Sequence, residues 1–229
     1  YYNKAPDLKL DTVGDHVLKT GKLKVDPFCW QHKDLQALIE YNRRDVEICV
    51  KLDESLGLIK YFLSLQQIVP APLEDLFWNS KVIDCYLLHQ YHNKLVFPSK
   101  RNNQKVDFEG GLVLSPEAKL YKNVCAFDFS GMYTTIFLSF NLSPELIKEK
   151  KDNEFDIQID DVIFDTTKKG LMPTVLDELR QRRKDMTDER DKWPNKSVEY
   201  MRWDELQGTY KSILNSCFGS FGFSSFRLY

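Results

Sequence analysis

The 229-residue sequence has no signal peptide and no apolar run near the ~18 residues that a membrane span needs. A membrane role is therefore not expected. Cysteine is sparse: Cys29, Cys49, Cys85, Cys125 and Cys217 are far apart, odd in number and form no Cys-x-x-Cys pair. That excludes a disulfide framework and a structural zinc, and it points to a reduced, intracellular protein. Positive charge is not in excess either, since 32 Lys and Arg face 34 Asp and Glu for a net charge of −2. A global basic signature of a nucleic-acid binder is missing. The chain starts at Tyr1 without Met and stops at Arg-Leu-Tyr in mid-pattern, so it reads as a piece of something longer.

What is present is a 42% hydrophobic content, enough for a real core in one large domain or two smaller ones. The charges are also unevenly placed. Residues 148–165 hold three bases and seven acids, whereas residues 168–196 hold nine bases and six acids. The acidic stretch predicts a solvated face with a hairpin at 155–164 and an exposed edge strand carrying Asp160 and Asp161.

The most informative stretch is 123–136, Asn-Val-Cys-Ala-Phe-Asp-Phe-Ser-Gly-Met-Tyr-Thr-Thr-Ile. Residues 124–127 predict a buried strand that ends in Asp128, where a carboxylate is costly unless a cation receives it. The chain then turns through Ser130 and Gly131 into an apolar run with Tyr133 five residues beyond the acid. Strand, acid, turn and aromatic suit a metal ion and its phosphates. Locally, an Asp that merely caps the next helix fits as well.

Helical spacing predicts a short helix at 10–18 and a second from an Asp34 cap through Leu35, Leu38, Ile39, Val46, Cys49 and Val50 to a stop at Gly57. That helix puts Tyr41 and Asp45 four residues apart on one face, where a carboxylate and a phenol can bind a metal and orient a water. The same spacing fits an exposed acid beside a half-buried tyrosine. Further helices are expected at 60–69 and, after Pro70-Ala-Pro72, from about 73 to 93. His89 and His92 on the latter lack a third ligand and read as surface or packing residues. A polar connection at 97–106 leads to Phe108-Glu-Gly-Gly111 and a strand at 112–114. The paired glycines allow close approach of another backbone, a phosphate backbone included, or simply a bend into the sheet. A helical hairpin about 30 Å long closes the pattern, with helices at 174–192 and 198–218 around a Trp193-to-Lys196 turn. Its first helix bears Arg180, Arg182, Arg183 and Lys184, and its second bears Lys211, Asn215 and Gly219 on one face. That is either a solvated charged face or a seat for an anion.

In order, the motifs are Tyr-x-x-x-Asp, aromatic-x-Gly-Gly, Asp-Phe-x-x-x-Tyr and Lys-x-x-x-Asn-Ser-x-Phe-Gly, and the order resembles the middle of a family B DNA polymerase. Tyr41 to Asp45 resembles the third exonuclease motif, and Phe108 to Gly111 the linker motif, which usually begins with Tyr. The stretch from Asp128 resembles the first polymerase motif, and Lys211 to Gly219 the fingers motif. Gly170-Leu-Met-Pro173 through Arg183 and Lys184 resembles the start of the fingers. The resemblance implies an α+β chain: the C-terminal helices of an RNase H-like 3′-5′ exonuclease domain (1–58), a helical linker (59–107), the first part of a palm sheet (108–171), an antiparallel two-helix fingers hairpin (172–219) and the start of a return to the palm (220–229).

It also implies roles. Asp128 and the backbone oxygen of Phe129 would bind Mg2+ in a two-metal site, hard oxygen donors being what that ion prefers. Backbone N–H groups of Gly131 and Met132 would hold triphosphate oxygens. Tyr133 would exclude a ribose 2′-hydroxyl, and Asn215 would sit near the nascent pair. Arg183 and Lys211 would grip the incoming deoxynucleoside triphosphate, which a primer 3′-hydroxyl attacks in line. Hinge closure of the hairpin would assemble the site and check the base pair. Gly110 and Gly111 would meet primer–template DNA. Asp45 with Tyr41 would serve the exonuclease metal, and a processivity factor is a further expected partner. Location would be nucleus or cytoplasm by host, a viral one included, and the short gap before the fingers favours nucleic-acid priming. Gly131 stands where Ser is usual, Thr134 where Pro is, Phe108 and Phe218 where Tyr is, and Thr187 where many members carry a second fingers Lys. The second polymerase carboxylate and the earlier exonuclease acids are missing, so the chain alone is expected to be inactive. Two other readings compete: a non-catalytic nucleic-acid-binding module, and a standalone nuclease on Tyr41 and Asp45, for which residues 1–40 offer no suitable group of acids.

Overall fold

A computed structural model gives the architecture and describes residues 5–24, 28, 31, 35–101, 103–107 and 111–229. Pro27, Trp30, the Asp34 cap and residues 108–110 of the Gly-Gly motif lie outside the described residues. Two compact units result, Tyr1–Leu63 and Ser64–Tyr229.

In the first unit α1 (Leu10–Leu18) closes through Lys19, whose left-handed backbone returns its N–H to Asp15. The 22-residue α2 (Leu35–Leu56) follows and ends at Gly57 with φ of 63°. The buried residues of α2 are Ile48 and Leu52. The stripe that predicted this helix faces outward instead, with Ile39, Val46 and Val50 all exposed. Periodicity reported the helix correctly but named the wrong side as covered. α3 (Leu58–Ile68) continues directly, its first turn helped by Asp53, which accepts the Ile59 N–H at 2.8 Å.

The second unit is built on α4 (Asn79–Gln90), α6 (Leu171–Arg190) and α7 (Val198–Phe221). Their apolar sides meet in one core. Val82, Ile83, Tyr86 and Leu87 come from α4, Met172, Val175, Leu176 and Leu179 from α6, and Tyr210, Ile213, Leu214 and Cys217 from α7. Each fully buried side chain of this size contributes about 1.5–3 kcal/mol. The expected helix from 73 begins later, because 73–75 form a separate 3-10 turn before α4. α6 starts at Leu171, ahead of the expected residue. Its first N–H groups find acceptors far away in sequence: Leu171 donates to Glu145 at 2.6 Å and Met172 to Ser143 Oγ at 3.0 Å. α7 has a local cap, Ser197 accepting the Tyr200 N–H at 3.1 Å.

Between α4 and α6 lie α5 (Met132–Ser139) and a small antiparallel sheet of β1 (Ile147–Lys148), β2 (Ile157–Ile159) and β3 (Val162–Phe164) in the order β1-β3-β2. The expected hairpin is present, turning at Asp160 with Ile159 opposite Val162, and β2 is an edge strand. One acid of the run is not solvated. Asp156 is 3% exposed and accepts from Asn153 N, Thr166 N and Lys148 Nζ, each at 3.2 Å. The strands expected at 112–114 and 124–127 do not form, and both segments are exposed and without regular structure. A strand needs a neighbour for its N–H and C=O groups, and no described segment pairs with either one. No helix among the described residues is long and apolar enough to cross a membrane.

A buried carboxylate ties the end of the chain to α4. Asp84, 4% exposed, receives Arg227 Nε at 2.7 Å and Lys100 Nζ at 2.8 Å, and Arg227 Nη1 also donates to the Pro98 carbonyl at 2.6 Å. Burial alone would raise the Asp84 pKa, but the hydrogen bonds from Arg227 and Lys100 outweigh it and hold the carboxyl below its usual range. The folded value lies under the unfolded one, so the contribution is complete above about pH 4 and lost as pH falls through the folded value. Arg227→Ala is expected to lower the unfolding free energy by about 3 kcal/mol in urea at neutral pH and to flatten the acid limb of the stability profile. An unaltered acid limb in that variant would count against this pairing.

Candidate functional site

Two clusters carry the chemistry, one in each unit. In the first, Tyr41 and Asp45 do share a face of α2, and a residue that motif reading missed joins them. Lys22 donates to Tyr41 Oη at 3.0 Å and to Asp45 Oδ2 at 2.7 Å. Its turn is fixed by its own N–H on Asp11 at 2.6 Å and by Arg44 Nε on the Gly21 carbonyl at 3.2 Å. The hydrogen bond to Asp45, then that to Tyr41, pushes the Lys22 pKa well above its ordinary value. The other carboxylate oxygen, Asp45 Oδ1, is buried without a hydrogen-bond partner. An orphaned anionic oxygen of this kind fits a hard cation. The only signal for Lys22 in the sequence is its place in Gly-Lys-Leu-Lys, 23 residues before Asp45.

In the second unit, residues 124–129 lead without regular structure into a turn at Ser130 and Gly131. Gly131 has φ of 63° and ψ of 39°, and α5 starts at the next residue. This left-handed geometry favours glycine at a position that resembles a serine position, since a residue with a Cβ adopts it at a cost of about 1 kcal/mol. The opening N–H groups of α5 have no acceptor within the helix itself.

Tyr133 lies in the first turn of α5, half exposed, with its ring stacked on Phe218 of α7 at 4.0 Å between centroids and 19° between planes. Phe137 meets Phe218 edge-on at 6.4 Å. These contacts close a cleft of about 400 Å³ between the loop and α7. It is lined by Asp128, Phe129, Gly131, Met132, Tyr133 and Thr134 on one side, and by Leu214, Asn215 and Phe218 on the other. Asp128 is exposed at its edge and has no ion-pair partner among the described residues. A free carboxylate beside a main-chain carbonyl is a donor set that suits a magnesium-type ion. No three His, Cys, Asp or Glu side chains converge among the described residues, so neither Asp128 nor Asp45 has companion ligands there.

Lys211 is exposed one turn from Asn215 on the same face of α7 and does not line the cleft. Arg183 on α6 faces α7, where its Nε donates to Gln207 Oε1 at 3.4 Å. Thr187, in place of a second lysine, returns its hydroxyl to the Arg183 carbonyl at 2.9 Å. The basic face expected on α6 is partly neutralised, because Arg180 pairs with Asp177 at 3.0 Å. Gly111 is exposed with open space around it, and Gly110 is outside the described residues. A larger cavity of about 550 Å³ beside Tyr91, Phe97 and Lys168 contains none of the expected site residues.

The family model described as DNA polymerase family B matches residues 78–229. DNA polymerase 1 of Saccharolobus solfataricus is 27% identical over 253 residues, covering 100% of this chain and 29% of that protein. DNA polymerase 1 of Sulfolobus acidocaldarius is 29% identical over 258 residues, with the same two coverages of 100% and 29%. The DNA-directed DNA polymerase of Enterobacteria phage T4 is 24% identical over 203 residues, covering 80% of this chain and 23% of its own length. Among solved structures, the family B DNA polymerase of Pyrobaculum calidifontis superposes with a TM-score of 0.78 at 24% identity, over 97% of this chain and 31% of that one. That likeness is one of fold. The chain thus spans under a third of the length of these relatives.

Gly131→Ala is expected to cost about 1 kcal/mol of stability in urea denaturation, because alanine resists the left-handed region. Ser130→Ala beside it should stay within about 0.5 kcal/mol of the parent. Equal effects at both positions would show that the turn does not need glycine.

Proposed function

We propose, on the premise that this chain belongs to DNA polymerase family B, that its second unit forms the nucleotide-receiving side of a template-directed DNA polymerase. Its first unit would carry the end of a 3′-5′ proofreading exonuclease. In this reading residues 1–58 end the exonuclease domain, 59–107 link it onward, 108–171 begin the palm, 172–219 are the fingers and 220–229 return toward the palm. One observation carries the proposal: the cleft in which Asp128, Tyr133 and Asn215 stand together, with Tyr133 stacked on Phe218.

Family B polymerases work with metal ions, and here Asp128 and the Phe129 carbonyl would hold Mg2+, completed by ligands from other parts of the protein. When bound, such ions activate the primer 3′-hydroxyl and stabilise the leaving pyrophosphate. The chain's own groups do the rest. The N–H groups of Gly131 and Met132, which line the cleft, would offer neutral donors to triphosphate oxygens. Arg183 and Lys211 would supply the positive charge for the same phosphates, which Asp128 alone would repel. Tyr133, in the first turn of α5 and stacked on Phe218, would present a wall where the sugar 2′-position would lie. Asn215 offers both a donor and an acceptor toward the nascent pair. Primer–template DNA would run past Gly110 and Gly111, the second of which leaves room for a phosphate backbone. In the first unit Asp45 would serve an exonuclease Mg2+ through the oxygen that has no protein partner, while Lys22, which also donates to Tyr41, orients the other. A non-catalytic binding module would use the bases and Asn215 equally well. It gives no reason for an unpaired carboxylate at the edge of an anion-binding cleft.

The test uses the full-length protein that contains this chain. Asp128→Ala should reduce deoxynucleotide incorporation by about 10³-fold or more, and normal incorporation would refute the assignment. Tyr133→Ala should raise ribonucleotide use relative to deoxyribonucleotide by about 10- to 100-fold. Unchanged sugar discrimination would remove Tyr133 from the role of sugar filter.

A further inference from the structure

The bases of α6 are not equivalent. Arg180 is matched by Asp177 at 3.0 Å, and Arg190 by Asp191 at 2.8 Å and Asp204 at 2.9 Å. Arg183 lies between them and is held by a neutral group, the side-chain carbonyl of Gln207 at 3.4 Å from its Nε. The Gln207 amide has its own anchor, since Nε2 donates to Asp204 Oδ1 at 3.0 Å. That oxygen also accepts Arg190 Nη1 at 2.9 Å.

These bonds have a direction. A carboxylate oxygen only accepts, so Asp204 draws the amide nitrogen toward itself and turns the Gln207 carbonyl to Arg183. The carbonyl then takes Nε alone, and the four N–H donors on Nη1 and Nη2 stay available for an anion. Because the partner is an amide, the guanidinium also keeps its full charge. The Arg183 backbone is steadied in turn by the Thr187 hydroxyl at 2.9 Å. Gln207 lies one turn before Lys211 and two before Asn215 on α7, so it shares their face.

We propose that Gln207 is a positioning residue that aims the Arg183 guanidinium at the phosphates of the incoming nucleotide, with Asp204 fixing the orientation of its amide. This rests on the reading in which Arg183 grips the triphosphate. Gln207 itself touches no substrate and acts through the arginine.

The experiment is steady-state incorporation by the full-length protein with a deoxynucleoside triphosphate as the varied substrate. Gln207→Leu should raise KM about tenfold while kcat changes by less than about twofold. Asp204→Leu should act the same way, whereas Asp204→Asn retains an acceptor oxygen and should restore near-parental KM. In an Arg183→Lys background Gln207→Leu should add nothing, because lysine has no Nε–H for the amide to hold. A merely structural residue would lower kcat and the melting midpoint in both backgrounds alike. An unchanged KM in Gln207→Leu, or an equal rise in the Arg183→Lys background, overturns the proposal. If Arg183→Lys itself leaves KM unchanged, the nucleotide role of Arg183 fails and the proposal falls with it.

Discussion

The burial of one side of α7 governs the rest of the second unit. Thr209, Tyr210, Ile213, Leu214, Ser216, Cys217 and Ser220 are buried, while Lys211, Asn215, Phe218 and Gly219 face outward. A helix advances about 100° per residue, so these two sets cannot be changed independently. Three of the buried residues are polar and satisfy themselves on the helix. Thr209, Ser216 and Ser220 return their hydroxyls to the carbonyls of Glu205, Ser212 and Ser216 at 2.9, 2.8 and 2.7 Å. Cys217, its thiol pushed up to about 12 by burial, behaves as a small apolar group. The side is slim and self-contained enough to lie against α4 and α6. Over residues 211–219 what remains outward is one cation, one amide, one aromatic ring and one glycine.

The second consequence concerns Asp128. No sheet holds its loop, because residues 124–129 pair with no described strand. The loop is held downstream instead, through the left-handed Gly131, the first turn of α5 and the stack of Tyr133 on Phe218. The face that α7 turns outward therefore also anchors the acid. Phe127 at 95% exposure and Phe129 at 80% are side chains that water disfavours on this scale. Phe127 and Phe129 keep the alternation of a strand, although no described segment pairs with them.

This explains which features could be read from the residues. Helices were legible where the signal is local: Gly57 stops α2, Ser197 caps α7, and the Trp193-to-Lys196 turn separates the hairpin. The start of α6 was misread by a few residues because its caps, Ser143 and Glu145, are 29 and 26 residues away from the N–H groups they accept. The strands at 112–114 and 124–127 were misread because a strand is a property of two segments, and the sequence pattern reports only one. The cleft was legible because Asp128, Tyr133 and Asn215 occupy recurring motifs. Lys22 and Gln207 were not, since each matters only through a side chain brought near by tertiary packing, with 23 and 24 residues between the partners.

Net charge explains why such partners deserve the distinction. A chain of net charge −2 attracts no polyanion by its overall field, so affinity for phosphate must come from cations whose local carboxylates are kept away. Several bases here do not meet that condition. Lys148 is shared by Asp152, Asp156 and Asp165, Arg190 by Asp191 and Asp204, and Arg227 is fixed on Asp84. Their charges are spent inside the fold, where they pin a hairpin, a helix pair and the chain end. Arg183 differs because the group that orients it is uncharged, and Lys211 because it projects from the outward side of α7 with no acid partner among the described residues. An amide can fix the direction of a guanidinium without cancelling its field, which a carboxylate cannot do. Selective neutralisation, rather than an excess of bases, is therefore what leaves Arg183 and Lys211 as uncompensated positive charges on this nearly neutral chain.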